Sequence, residues 1–371
     1  MAARWFVSSP LKKAIMKKVV IATNMAFWRY GAGDCSRLLS VANYLKQHTD
    51  LVIVYGGLAK EQDDKLLGGL GLEDTVVMLE KKRELSYTAY ARLFEQYIAG
   101  QNVDVCIIEH IELSFLLDYL PATVRVVLDT HDIVSERVSS FRAFNYKPLS
   151  FTISESEEYK LYGRYDGVVM INELDYDKVK KVIGPDKTIL AAHPPVLRRR
   201  RTREKVSNIG YVASAYPPNV DAIMHFIKEV WTGFDGGGIL NIYGMISNVL
   251  NLSNVQGVAL RGYVPDYDSL YDEIDIAINP VRFGAGLKIK SVEAIGNGLP
   301  LVTTSHGARG LAGAGEAYLV ADEPADFSRQ LHNLINDFAL RKRISDNAFN
   351  YASRHFSTDA CFTNLLSFIN G

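Results

Sequence analysis

Residues Asn279–Leu311 read NPVRFGAGLKIKSVEAIGNGLPLVTTSHGARGL, and this stretch decides how the rest of the chain is understood. The residues from Ile274 to Asn279 form a short apolar run suited to a buried strand, and Pro280 ends it. Phe283-Gly284-Ala285-Gly286 then supplies backbone that a ligand can approach closely. From Leu287 to Asn297, Ile289, Val292 and Ile295 recur at helical spacing, so the glycines sit at a helix N-terminus. Unpaired N–H groups and the positive end of the helix dipole favour an anion there, and Lys288 and Lys290 add charge on the first turn. A diphosphate suits such a place. Glu293 lies two turns after Gly286, where a carboxylate can accept hydrogen bonds from ribose hydroxyls. After Gly298 and Pro300, Leu301 to Thr304 reads as another buried strand, with Ser305-His306-Gly307-Ala308 as a loop at its C-terminal end. Open α/β sheets bind ligands at that edge.

Working outward, the 371 residues are enough for two domains, each with a full core. Apolar residues make up 48% and charged residues 22%, which is ordinary globular usage. A formal net charge of −1 gives no global attraction to nucleic acid. Cys35, Cys106 and Cys361 are widely spaced, without metal spacing or a CxxC pair, and fit a reducing cytoplasm. No apolar run approaches the roughly 20 residues that span a bilayer. The leader, residues 1–17, lacks the order of a secretory signal and reads as a flexible extension, with a weak amphipathic membrane anchor as the alternative.

Strands and helices alternate almost throughout, so the expected class is α/β with two parallel sheets. The first half offers strands at Val19 to Asn24, Leu51 to Tyr55, Thr75 to Leu79, Val103 to Glu109, Val124 to Asp129, Gly167 to Ile171 and Thr188 to Ala192. Gly31-Ala32-Gly33 follows the first strand, and Asp34 is the expected N-cap of the next helix. The second half offers Val206 to Val212, Ile239 to Tyr243, Val258 to Gly262, Ile274 to Asn279, Leu301 to Thr304 and Ala317 to Val320. Between the halves, His193-Pro194-Pro195 stops regular structure and the run Arg198 to Arg201, with Arg203, reads as a solvated linker suited to a hinge. Contact of these arginines with anionic lipid is the alternative. After Pro324 the chain is expected to be mostly helical, with breaks near Ala339 and Phe356.

These residues support a resemblance. Gly210-Tyr211, Pro218-Asn219-Val220-Asp221-Ala222, Gly262-Tyr263-Val264, Asn279-Pro280 and the GAGLKIKSVEAIGNGLP run resemble, in order and spacing, the C-terminal half of a GT-B glycosyltransferase of the family 4 (group 1) kind. Leu128-Asp129-Thr130-His131-Asp132, the acidic helix around Glu155 to Tyr162, and Tyr165-Asp166-Gly167-Val168-Val169 match more loosely in the first half. The resemblance implies two Rossmann-like domains facing across a cleft, with C-terminal helices packing back toward the N-domain. The expected division is an acceptor domain at 18–195, the linker at 196–205, a nucleotide-sugar donor domain at 206–355 and a crossover helix at 356–371.

The implied activity is transfer of a sugar from a nucleotide-sugar donor to a glycan or lipid-linked acceptor in surface polysaccharide or glycoconjugate synthesis. Retention of configuration and independence of metal or cofactor come with it. The implied location is cytoplasmic, with peripheral contact at the inner face of a membrane. Glu293 is similar to the second of the family's two glutamates, which holds the donor ribose; Ala285 stands in place of the first, a departure that puts the sugar contacts in doubt. Backbone N–H groups of Gly286, Leu287 and Lys288 would hold the diphosphate. Many relatives carry a basic residue in the first C-domain loop where this chain has Tyr216-Pro217-Pro218-Asn219, and Arg282 and Lys288 would compensate.

The expected donor-site residues are therefore Gly33, Gly210, Asn219, Tyr263, Val264, Arg282, Gly286, Leu287, Lys288, Glu293 and Gly307. His131 and Lys288 are the expected catalytic residues, His131 by hydrogen bonding near the donor sugar, with Asp132 capping the following helix and His306 exposed. The Asp-x-Asp patterns at Asp175 to Asp177 and Asp266 to Asp268 read as solvated acidic caps, so no metal ligands are expected. Two other readings stay open, an inactive GT-B scaffold or partner subunit and a nucleotide-sugar 2-epimerase. A Rossmann dehydrogenase is disfavoured because Gly31-Ala32-Gly33 lacks the third glycine of its fingerprint.

Overall fold

The computed structural model describes residues 16–29, 33–148, 151–265, 267–311, 313 and 315–371. Most of the leader, Gly31 and Ala32, and Asp266 lie outside the described residues.

In the first half, β1 (Lys18–Thr23), β2 (Asp50–Tyr55), β3 (Val76–Met78), β4 (Val105–Glu109), β5 (Arg125–Asp129), β6 (Gly167–Met170) and β7 (Thr188–Leu190) form a parallel sheet in the order β3-β2-β1-β4-β5-β6-β7. Its helices are α1 (Gly33–His48), α2 (Asp63–Gly69), α3 (Tyr87–Ala99), α4 (Val134–Ala143), α5 (Glu155–Tyr162) and α6 (Glu173–Ile183). In the second half, β8 (Asn208–Val212), β9 (Ile239–Tyr243), β10 (Val258–Gly262), β11 (Ile276–Asn279), β12 (Leu301–Thr303) and β13 (Leu319–Val320) form another parallel sheet, in the order β10-β9-β8-β11-β12-β13. The remaining helices are α7 (Pro217–Glu229), α8 (Tyr267–Glu273), α9 (Ile289–Gly296), α10 (Pro324–Asn336), α11 (Phe338–His355) and α12 (Thr358–Asn370). Central strands such as β1 and β4 are buried along nearly their whole length, which is why they read as unbroken apolar runs.

Strand order reverses between β1 and β4 in one sheet and between β8 and β11 in the other. Such switch points open a crevice at the C-terminal ends of the strands. The glycine loop Arg282–Lys288 leaves one of these strands, β11, and His110 follows another, β4.

The chain end returns to the first domain. Cys361, Phe362, Leu365 and Ile369 of α12 are buried in the core that also holds Leu38, Val41 and Leu45 of α1. A β-carbon on Gly167 of β6 would stand 2.7 Å from the Phe368 ring, so glycine there makes room for the returning helix.

Several expectations need correction. Arg198, Arg199, Arg201 and Arg203 of the linker are exposed, as a solvated segment would be, while Arg200 is buried; ion pairs nonetheless tie Arg199 to Asp346, Arg200 to Asp272 and Arg203 to Asp275. Buried Arg341 of α11 also donates to the carbonyls of Arg203 and Glu204, at 2.8 and 2.7 Å. The segment is thus strapped to the second domain. Asp34 lies inside the first turn of α1, not ahead of it. Asp132 does not cap α4; Glu158 of α5 does, its two oxygens accepting from the Val134 and Ser135 N–H groups at 2.7 and 2.8 Å. Asp175 is buried, with Asn172 as the cap of α6. The helical break expected near Ala339 falls at Asp337.

Candidate functional site

The glycine loop is built as its sequence demands. Gly284 and Gly286 take φ of 116° and 67°, a region that L side chains disfavour. A β-carbon on Gly286 would also stand 2.8 Å from the His131 carbonyl oxygen, so the loop presses against the other domain at this point. Gly286, Leu287 and Lys288 are buried, yet among the described residues their N–H groups reach no protein acceptor. Buried backbone donors are almost always paired, so three in succession at the start of α9 mark a place for an external acceptor.

Charge surrounds that place. Lys288 is buried and its Nζ donates to the carbonyls of Ala285 and Gly286, at 2.9 and 3.2 Å. The side chain therefore braces the loop from inside. Burial, with the neighbouring Lys290 and Arg309 charges, lowers its pKa to about 7. Lys290 donates to Asn219 Oδ1 at 2.8 Å, joining α9 to the start of α7, and burial lowers its pKa to about 8. Glu293 accepts from the Tyr271 hydroxyl at 2.7 Å; burial raises its pKa to about 7, against the opposing pulls of Tyr271 and Lys290. Asn219 fixes its own loop by donating to the Ser214 carbonyl at 3.1 Å.

The other wall comes from the first domain. His131, with φ of 61°, lies beside His110, with φ of 68°, and their rings are 4.2 Å apart. His131 Nε2 shares a short hydrogen bond with Glu109 Oε1, while Glu109 Oε2 is buried without a partner. Burial lowers the His131 pKa and raises that of Glu109 to about 8. Ligand atoms of Glu109, His110 and His131 lie within 4.8 Å of one another. The two imidazole planes are only 30° apart, however, so their in-plane lone pairs do not converge on one cation unless a ring turns. Behind them, Arg37 and Asp129 form a fully buried ion pair at 2.8 Å, and Arg37 also donates to the Ala192 carbonyl.

The halves meet at several points. A β-carbon on Gly33 would stand 3.0 Å from Ile289 Cδ1. Arg309, in the loop after β12, donates to Glu136 at 2.8 Å and to Asp175 at 2.6 Å, both in the first domain. His306 is only partly exposed, contrary to expectation; its Nε2 is buried and unpartnered, and burial holds its pKa down at about 4. Gly307 serves a tight turn, since a β-carbon would stand 2.2 Å from Thr303 Oγ1, and its carbonyl accepts from Ser291 Oγ at 2.8 Å.

Four expected residues stand differently from their assigned roles. Gly210 lies within β8, where its missing β-carbon leaves room for Ile274, 2.5 Å away; it is a packing glycine. Arg282 is already held by both oxygens of Asp221. Tyr263 and Val264 follow edge strand β10, separated from β11 by two strands, with Tyr263 47% exposed. Conversely, Glu109, Tyr271 and Arg309 join the site without having been singled out. Glu109 carried a readable signal, as an acid closing a buried strand at the ligand edge of a sheet.

Residues 206–337 match the family described as glycosyl transferases group 1. Over 235 residues the chain is 29% identical to a Klebsiella pneumoniae protein described as an uncharacterized 44.6 kDa protein in the cps region, covering 59% of each chain. Among solved structures it is similar to TarM, of Staphylococcus aureus, with a TM-score of 0.74, 10% identity and coverage of 97% of this chain and 100% of that one. It is also similar to Anabaena HepE in complex with UDP, with a TM-score of 0.70, 14% identity and coverage of 96% and 100%. Likeness at these identities shows the fold.

Proposed function

We propose that this chain, a GT-B glycosyltransferase of the group 1 family, moves a sugar from a nucleotide-sugar donor to a glycan or lipid-linked acceptor in surface polysaccharide synthesis. The observation that carries the reading is the row of buried, unpaired N–H groups at Gly286, Leu287 and Lys288, with Lys290 and Glu293 one and two turns further on. The diphosphate lies on the amides, and Glu293 takes the ribose. As the bond to the sugar breaks, negative charge grows on the leaving phosphate, and fixed dipoles and lysines stabilise it without reorganisation. This supports transfer independent of metal, and the family resemblance implies retention of anomeric configuration. His131, held by Glu109 and adjoining the loop at Gly286, hydrogen-bonds the sugar from the acceptor side.

The solved HepE complex makes uridine the first donor base to try, and the relative from the cps region favours a polysaccharide acceptor. A scaffold role is the competing reading, motivated by Ala285 and by a first C-domain loop without a cation. Melting of the full chain should be followed with uridine, guanosine, adenosine and thymidine diphosphates and their sugars. A ligand that binds only the folded state at one hundred times its Kd adds about 2.7 kcal/mol of stability. A shift with one base series, lost in Glu293→Ala, supports the transferase; no shift in any series moves the chain to the scaffold reading.

A further inference from the structure

The donor loop belongs to the second domain in sequence, yet the first domain supplies much of what holds it. Phe283 is 1% exposed and lies outside the three hydrophobic cores of the described residues. Its ring stacks on Phe144, with centroids 4.6 Å and planes 17° apart, and on Tyr146, at 5.0 Å and 27°. The edge of Phe141 closes the cage at 5.3 Å. Asn145, between the two stacking residues, has φ of 60°, a backbone conformation that asparagine tolerates better than most residues. The next loop residue is held as well, since the Gly284 N–H donates to Ser140 Oγ at 2.8 Å.

A loop with two glycines at positive φ is not rigid by itself. Its amides help only if they are already aimed when the donor arrives. Every anchor just named falls between Ser140 and Tyr146, on the end of α4 and the turn after it. We infer that Phe283 is a positioning residue, latched into the Phe141, Phe144 and Tyr146 cage of the acceptor-side domain, so that the donor loop takes its binding shape only when the two domains close. This rests on the donor reading given above for its kinetic consequences, but not for the latch itself.

The test has two arms, both on the full chain. Without ligand, hydrogen exchange at the Gly284 amide reports the latch directly, because that N–H is bonded across the domains. Phe283→Ala and Ser140→Ala are each expected to speed this exchange about tenfold or more, with the melting temperature near the parent's for Ser140→Ala and lowered for Phe283→Ala. In steady state, Phe283→Ala should raise the KM for the nucleotide sugar about tenfold and lower kcat, leaving the acceptor KM unmoved, with Phe283→Leu in between. Ser140→Ala keeps the question open to measurement if Phe283→Ala does not fold. Unchanged exchange in folded variants, or parental donor KM and kcat in Phe283→Ala, overturns the latch. Altered exchange in a chain that binds no nucleotide leaves the latch standing and removes the donor reading.

Discussion

Lys288 shows how much a single side chain depends on its surroundings. In the sequence it is a cation beside a phosphate loop; in the fold it is buried against two carbonyls and its pKa falls to about 7. Unfolded, the same group titrates near its ordinary 10.5. Between these values the unfolded chain binds the extra proton, so this residue makes stability rise with pH from about 7 to 10.5. A diphosphate prefers the ammonium form and raises the folded pKa. Nucleoside diphosphate binding at pH 8 should therefore take up a proton, and affinity should weaken as pH rises through 7 to 9. Calorimetry in buffers of different ionisation enthalpy measures that uptake. Lys288→Arg, charged throughout, should take up less; equal uptake in parent and variant would remove Lys288 from the phosphate site. Glu293→Ala belongs to the same scale and should weaken donor affinity by about 1.5–3 kcal/mol, the range for hydrogen bonds to a charged group. Direct titration with the nucleotide checks it.

At the scale of elements, the alternation of apolar runs located every strand of both sheets to within two residues at either end, because a strand buried on both faces needs a continuous apolar run. Helix ends were less legible. The acceptor that caps α4 is Glu158, over twenty positions away in sequence, and no local pattern around Val134 announces it. Glu158 is fully buried and also accepts from the Tyr162 hydroxyl at 2.6 Å. Glu158→Ala leaves two helix N–H groups and that hydroxyl buried without a partner, and should cost about 2–4 kcal/mol. Urea unfolding would read this as a lower midpoint at constant slope; a loss under half a kcal/mol would mean that water replaces the carboxylate. The linker shows the same limit. The run of arginines is largely exposed, but which aspartates pair with Arg199, Arg200 and Arg203 is set by residues far along the chain.

At the scale of the molecule, the two domains share buried apolar residues and are joined by specific polar contacts. Arg309 reaches from the second domain to Glu136 and Asp175 of the first, and both carboxylates also meet groups of their own domain. Arg309→Ala should leave each domain folded while loosening closure. The expected outcome is a larger radius of gyration by small-angle scattering and a kcat lowered about tenfold with melting little changed. An unaltered scattering profile together with parental turnover would show that the Arg309 pairs do not govern closure. No helix among the described residues is long and apolar enough to cross a membrane.

Neighbouring residues alone specify the two parallel sheets, the glycine loop at the head of α9 and the place of Glu293 on that helix, because strand burial, positive φ and helical spacing are local properties. That Gly210 is a packing residue, that Arg282 is held by Asp221, that Glu109 holds His131 and that Phe283 inserts into the opposite domain depends on the assembled fold. The reason is physical: a side chain's partner is whichever group the fold brings within a few ångströms, and here those groups come from strands and helices far apart in the chain.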